Sequence, residues 1–198
     1  MAENDLTIAV IDPDRVRAAI LEEGLTEAGF KKVVFIEETA QLIRQLNDIA
    51  PDVVIIDLES PNRDVLEQMF QVSRIVERPV AMFVDHSEEG MIEAAIEAGV
   101  SAYVVDGLRK ERVSSIVNVA ISRFNAFTRL RGELESAKTQ LAERKTVERA
   151  KGILMKRQGM SEEEAFRLLR QTAMNEKKKL VEIAESVLTA AKLFGGDE

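Results

Sequence analysis

Acidic side chains follow two of the apolar runs in the sequence. Asp12 and Asp14 come after the run at residues 6–11, and Asp57 comes after the run at 53–56. If both runs are strands of one parallel sheet, their carboxyl ends meet at a single edge, which is where such sheets bind ligands. The sequence therefore predicts an acidic pocket formed by Asp12, Asp14 and Asp57. We expect no cofactor in this pocket, and Mg²⁺ held by Asp12 and Asp57 is the alternative. For Asp14, a carboxylate that is simply solvated at the strand end is the plainer interpretation.

The elements that must position these carboxylates are visible as an alternation of two patterns. Short apolar runs rich in β-branched residues predict strands buried on both faces, at residues 6–11, 33–36, 53–56, 80–84 and 102–105. Apolar residues at helical spacing predict helices between them, at about 15–29, 39–49, 62–77 and 88–98. Strands alternating with helices predict an α/β fold with a doubly wound, five-stranded parallel sheet.

This arrangement resembles the response-regulator receiver domain over about residues 6–125. In that family an acidic pair binds a metal and a central aspartate accepts a phosphoryl group, and Asp12 and Asp57 match those positions. The resemblance implies a receiver-like domain with Asp57 at the phosphoacceptor position.

Three other positions depart from the receiver pattern. Pro13 stands where the family has a second acid, Val84 where it has Ser or Thr, and Asp106 where it has Lys. Phosphoryl transfer requires cations around the equatorial oxygens, and Asp106 would repel a phosphoryl group instead. The sequence therefore predicts a pseudo-receiver in which Asp57 is a vestigial phosphoacceptor.

The composition excludes most enzyme classes. The chain has no cysteine and one histidine, His86, so thiol catalysis, disulfides and the usual zinc sites lack their side chains. His86 follows the fourth predicted strand and is interpreted as a polar surface residue. No apolar stretch is long enough to span a membrane, and the polar first residues do not resemble a signal peptide. We expect a cytoplasmic protein that is not an enzyme and does not contact a membrane.

The charge is distributed unevenly along the chain. Residues 1–127 hold 12 Lys and Arg against 23 Asp and Glu, a net charge of −11, whereas residues 128–198 hold 15 against 12, a net charge of +3. Within residues 144–179 there are 11 basic and 5 acidic side chains, a net charge of +6. A local cationic excess of this kind suits a phosphate backbone, although a basic face that only keeps the protein soluble is the alternative.

A long helix is predicted from about residue 110, because apolar residues recur there at helical spacing. Its later part steps by three or four residues, which is typical of a coiled-coil seam. The predicted dimer seam consists of Phe127, Leu130, Leu134, Ala137 and Leu141. A helix that lies alone against its own domain is the alternative to a homodimer.

Two further helices follow Gly159. Ser161 and Glu164 have the spacing of a capping box, which predicts a helix that begins at residue 162. Leu180, Ile183 and Val187 give the last helix its apolar stripe. The end of the long helix and these two helices form a predicted all-α unit of three helices.

The second half resembles the ANTAR domain, the RNA-binding module of transcription antiterminators. The resemblance spans about residues 143–193 and depends on the Ala-Lys-Gly-Ile-Leu-Met run at 150–155, the capped Ala-Phe helix, Arg170 and the Ala-Met pair at 173–174. Residues 109–113 and 122–127 also resemble the NasT-like subgroup, which regulates nitrate and nitrite assimilation. The resemblance implies binding to paired hairpins in leader mRNA and control by a cytoplasmic nitrate- or nitrite-sensing protein. The departures from the receiver pattern at Val84 and Asp106 predict that this control does not use phosphorylation.

The candidate RNA-binding side chains are cations that share helix faces or lie in the turn before the last helix. They are Arg149, Lys151, Lys156, Arg157, Arg167, Arg170, Lys177, Lys178 and Lys179. Phe166 is the main aromatic candidate for base stacking in this half.

These inferences give three expected regions: a receiver-like domain at 1–125, a coiled-coil linker helix at 126–143 and an ANTAR domain at 144–198. The alternatives are a phosphorylation-dependent response regulator that binds DNA and a protein-only adaptor.

Overall fold

The computed structural model describes residues 5–38, 41–59, 61–105 and 109–193. By its internal contacts the chain divides into two compact units, Met1–Thr128 and Arg129–Glu198. Each unit has its own apolar core.

The first unit contains the predicted five-stranded parallel sheet. The strands are β1 (Thr7–Ile11), β2 (Lys32–Ile36), β3 (Val53–Leu58), β4 (Val80–Val84) and β5 (Ala102–Val104). Their order across the sheet is β2-β1-β3-β4-β5, and every neighbouring pair is parallel. β1 and β3 lie inside the sheet, so their carboxyl ends are adjacent and carry the acidic pocket.

Helices cover both faces of the sheet. They are α1 (Arg15–Glu27), α2 (Leu42–Ile49), α3 (Arg63–Val76), α4 (Met91–Glu97) and the first part of α5 (Lys110–Gln158). Leu46, Met69 and Ala95 bring α2, α3 and α4 into the core on one face. Leu21 and Val117 bring α1 and α5 into the core on the other face. The doubly wound fold is therefore confirmed.

The helix ends follow local capping signals. Gly29 and Gly99, which lie just beyond α1 and α4, have φ values of 90° and 85°, a region that glycine adopts without a Cβ clash. The predicted helix at 88–98 is shorter in the structure because Gly90, with φ of 83°, precedes its first residue. The predicted start of α2 at residue 39 lies outside the described residues, and the helix begins at Leu42.

The second unit is built from the later part of α5, α6 (Glu162–Glu176) and α7 (Leu180–Leu193). Ser161 and Glu164 form the predicted capping box, in which each side chain bonds the other residue's backbone N–H. The core consists of small and aliphatic side chains from all three helices, with Ala150, Ala165 and Ala184 fully buried. Small residues at these positions let the helices pack closely. In the described part of the chain, no helix is both long and apolar enough to cross a membrane.

Candidate acidic pocket and nucleic-acid interface

Asp57 lies inside the sheet and not beyond its edge. It belongs to β3, pairs in register with Phe83 of β4, and has no exposed surface. Its carboxylate is therefore removed from water. A buried carboxylate requires a charged or hydrogen-bonding partner, since the desolvation of an ionised group is otherwise expensive.

Arg17 of α1 supplies that partner. Its Nε donates to Asp57 Oδ2 at 3.0 Å and its Nη2 donates to Asp57 Oδ1 at 2.6 Å. The remaining terminal nitrogen, Nη1, donates to both carboxylate oxygens of Asp85, at 3.2 and 3.0 Å. Arg17 is thus a clamp between two carboxylates, and its hydrogen bond to Asp57 raises its own pKa further. Both oxygens of the phosphoacceptor position are engaged by this clamp.

Asp12 and Asp14 have separate structural roles. Asp14 is the N-cap of α1, and its Oδ1 accepts the backbone N–H groups of Val16 and Arg17. Asp12 Oδ1 accepts the backbone N–H of Asp14 at 2.8 Å, whereas its buried Oδ2 has no hydrogen-bond partner. Burial, and to a smaller extent the charge of Asp57, raises the pKa of Asp12 to about 6.

The pocket does not fit the Mg²⁺ ion that receiver domains bind. The buried Oδ2 of Asp12 has no hydrogen-bond partner and could accept a cation. However, Arg17 already hydrogen-bonds both oxygens of Asp57, and Pro13 provides no second carboxylate. Among residues 5–38, 41–59, 61–105 and 109–193, no three carboxylate, imidazole or thiol side chains cluster as metal ligands do. The cation that pairs with Asp57 is the guanidinium of Arg17.

The other predicted features of the pocket are located only in part. Val84 is the last residue of β4 and is fully buried. Because its side chain is aliphatic, it provides no hydroxyl at this position. Asp106 lies outside the described residues. His86 is exposed in the loop after β4, as expected of a surface residue.

Sequence reasoning missed Arg17 and Asp85. The available signal was an arginine three residues after the N-cap of the first helix, which places it on the turn closest to the strand ends. Arg17 reaches Asp57 of β3 and Asp85 after β4 only because these two strands are neighbours in the sheet.

In the second unit, Lys151 is largely buried, with 8% of its side chain exposed, and forms ion pairs. Its Nζ donates to Glu162 Oε1 at 2.7 Å and lies 2.8 Å from Glu148 Oε1, and both contacts raise the pKa of Lys151. The same Nζ lies 5.9 Å from the ring centroid of Phe166, which is within cation–π range. Lys151 was predicted to bind RNA, but these contacts give it a structural role that connects α5 to α6. We therefore leave it out of the surface that we propose to bind RNA.

The remaining predicted cations lie on different faces of the unit. Arg149 and Lys156 lie on the face of α5 opposite to the buried residues Val147, Ala150 and Leu154. We call this the α5 outer face.

The second group lies on α6. Arg167 and Arg170 lie opposite to the buried Ala165 and Leu169, together with Met174, which is 71% exposed. This is the α6 outer face. The candidate residues therefore form two stripes on separate helices rather than one patch.

The other cations are at helix ends. Arg157 Nη2 donates to the backbone oxygen of Ala191, 3.2 Å away, and so binds the last turn of α7. Lys178 pairs with Glu176 at 2.7 Å. Lys177 caps α6 with φ of 54°, and Lys179 precedes α7. All four are exposed.

The predicted dimer seam is exposed in the single chain. Phe127 is 66% exposed, Leu130 59%, Leu134 53% and Leu141 55%, and Ala137 is also exposed. Among the described residues, no element of the chain covers this row of apolar side chains at helical spacing, and such a row is what a second helix would bury. The homodimer stays a prediction.

Two known protein families match separate parts of the chain, one in each of its two compact units. The response regulator receiver domain matches residues 8–118, and the ANTAR domain matches residues 135–188. These are regulatory domains, not enzymes. The chain belongs to the response regulators that combine a receiver domain with an ANTAR domain.

Individual proteins match different parts of the chain. The transcriptional regulatory protein PdtaR of Mycobacterium tuberculosis is 31% identical over 168 residues, which cover 85% of this chain and 82% of PdtaR. A nitrate regulatory protein of Klebsiella oxytoca is 48% identical over 65 residues, or 33% of this chain but 16% of that protein. A solved structure of a pilus assembly-related protein from Burkholderia pseudomallei shares the fold of the first unit, with a TM-score of 0.53, 21% identity, and coverage of 62% of this chain and 94% of that one.

Proposed function

We propose that this chain is an RNA-binding transcription antiterminator and not an enzyme. It acts in the cytoplasm as a homodimer, with residues 126–143 as the dimerisation segment. Its ANTAR domains bind paired hairpins in a nascent leader mRNA and prevent a competing terminator from forming. The observation that carries the proposal is the ANTAR match over three helices whose outer faces present Arg149, Arg167 and Arg170 to solvent.

Charge supports RNA as the partner despite the acidic total of −8. The excess of +6 lies within residues 144–179, so the cations are concentrated on the ANTAR helices. Within the described residues, Arg149 and Arg170 have no ion-pair partner, which leaves their guanidinium groups available to phosphates. The similarity to the Klebsiella nitrate regulatory protein supports nitrate or nitrite assimilation genes as the target.

We further propose that a nitrate- or nitrite-sensing protein controls the chain, rather than phosphorylation. The hydrogen bonds from Arg17 withdraw electron density from both oxygens of Asp57 and so make each a weaker nucleophile towards a phosphoryl donor. Val84 would then give the product no hydrogen-bond donor. A protein partner that buries the acidic first unit or covers the basic second one supplies the differential binding energy that a switch requires.

A gel-shift comparison tests the proposal. The probes are a stem-loop RNA from the leader of the chain's own operon, a DNA stem-loop of the same sequence, and duplex DNA. We expect the RNA stem-loop to bind best. Arg170→Ala should weaken that binding about tenfold and reduce its salt dependence by about one phosphate contact. Arg74→Ala, which removes an exposed cation from the first unit, is the matched control.

Two outcomes would contradict the proposal. Equal or tighter binding to duplex DNA would favour a DNA-binding response regulator. No binding to any nucleic acid, with the helical content intact, would favour a protein-only adaptor.

A further inference from the structure

A groove in the second unit lies between α5, α6 and the start of α7. It has a volume of about 490 Å³, within the usual range for small-ligand sites. Its apolar wall is formed by Val147, Leu180, Val181 and Phe166, and Phe166 is 41% exposed. An aromatic ring left partly in solvent beside a groove is suited to stacking on a flat partner.

The groove is also lined by two basic and two acidic side chains. Arg144 and Lys179 are both exposed, and within the described residues neither has an ion-pair partner. Glu148 is paired with Lys151 at 2.8 Å, a cation that it shares with Glu162. Glu143 is the one lining carboxylate for which the described part of the chain has no cation within ion-pair distance. The groove therefore combines an aromatic wall, two available cations and one available acceptor.

We propose that this groove receives a single unstacked base from the loop of an RNA hairpin. The ring of Phe166 stacks on the base, Arg144 and Lys179 contact the flanking phosphates, and Glu143 accepts a hydrogen bond from an exocyclic amino group. Adenine, cytosine and guanine carry such a group and uracil does not. Sequence-specific recognition of RNA loops generally uses bases splayed out in this way. The proposal rests on the RNA-binding function and adds the base-reading site and its preference.

The test begins with a pool of stem-loop RNAs whose loop is randomised, from which the wild-type chain enriches its ligands. Each loop nucleotide of the enriched stem-loop is then made abasic in turn. We expect one position at which loss of the base weakens wild-type binding about tenfold. Phe166→Leu should weaken binding to the intact loop by the same factor and should lose nothing further when that nucleotide is abasic. Leu168→Ala, which alters an equally exposed side chain of α6 outside the groove, should leave binding unchanged.

Two more variants separate stacking and hydrogen bonding from folding. Phe166→Tyr keeps the ring, and therefore should restore the binding that Phe166→Leu loses. Uracil at the critical position should weaken wild-type binding about tenfold. Glu143→Met, which keeps the volume and removes the acceptor, should bind the uracil and amino-bearing loops equally.

The failures are distinguishable. If the wild type enriches no stem-loop, the RNA-binding function itself is wrong. If the wild type binds and Arg170→Ala weakens the complex, but Phe166→Leu and Glu143→Met bind every loop as the wild type does, the groove is not the base site and the RNA-binding function stands.

Discussion

Replacement of Arg17 tests the clamp that distinguishes this pocket from a phosphate-accepting one. Arg17→Met keeps much of the side-chain volume and removes four hydrogen bonds, two to Asp57 and two to Asp85. Asp57 has no exposed surface, so the variant leaves an uncompensated carboxylate in the sheet. Loss of one partner of a buried pair costs about 3–5 kcal/mol. The loss of the bonds to Asp85 adds little to this cost, since 29% of the Asp85 side chain is exposed and water can replace the guanidinium.

A double-mutant cycle isolates the pair from the packing. Asp57→Asn keeps the shape of the side chain and one acceptor for Arg17, so it should cost about 1–2 kcal/mol. Arg17→Met combined with Asp57→Asn should cost less than the sum of the single variants by at least about 1.5 kcal/mol, because the buried negative charge is gone.

Urea unfolding followed by tyrosine fluorescence measures these differences in the intact chain. The chain has no tryptophan and a single tyrosine, Tyr103 of β5, so the signal reports on the first unit alone. The clamp would be refuted if Arg17→Met lowered the free energy of unfolding by less than about 1 kcal/mol. It would also be refuted if the effects of the two single substitutions on that free energy were additive.

Three further predictions concern other parts of the chain. Asp57→Asn should bind the leader stem-loop as the wild type does, and acetyl phosphate should leave the wild type at its unmodified mass. Asp12→Asn should raise the free energy of unfolding by about 3 kcal/mol at pH 7.5, since each pKa unit corresponds to about 1.36 kcal/mol. The folded-state pKa of Asp12, about 6, exceeds its ordinary value of 3.8, so the cost of its charge is complete above pH 6 and the gain should vanish towards pH 4. Leu134→Asp should convert the dimer to a monomer in sedimentation analysis, since the two copies of a seam position meet across the two-fold axis.

Each of these has a control or an opposing result. For Asp12, the control is Glu22→Gln, which neutralises an exposed carboxylate of α1 and should give no comparable pH-dependent gain. A stable phosphoryl adduct that raises RNA affinity tenfold, and that Asp57→Asn abolishes, would establish a working phospho-receiver. A wild-type chain that sediments as a monomer at high concentration, with and without RNA, would rule out the coiled-coil seam.

Most of the fold follows from patterns that are local in sequence. The five apolar runs predicted the strands to within two residues at each end, because each run contains almost no polar residue. β1, β3 and β4 are buried on both faces as predicted, but the prediction was wrong for β2, which lies at the edge of the sheet and leaves Val34 38% exposed. The capping box at Ser161 and Glu164 was also predictable from local sequence, since its hydrogen bonds join residues only three positions apart.

The pocket was predictable only in part. The positions of Asp12 and Asp57 at the ends of their apolar runs indicated that both carboxylates lie near the carboxyl ends of neighbouring strands. They did not reveal Arg17, whose partners lie 40 and 68 residues away and become neighbours only through the sheet order. The same limit applies to Lys151, where a count of positive charges could not distinguish a buried ion pair from an exposed phosphate contact. Glu162, which pairs with it, belongs to the next helix.

Single-round transcription through the leader of the chain's own operon tests the central claim most directly. We expect the wild-type chain to increase read-through past the leader terminator in proportion to hairpin occupancy. Acetyl phosphate should not change this increase, and Arg170→Ala should reduce it as far as it reduces RNA binding. Unchanged termination at a protein concentration that saturates the hairpins would contradict antitermination, and read-through that requires acetyl phosphate would contradict control without phosphorylation.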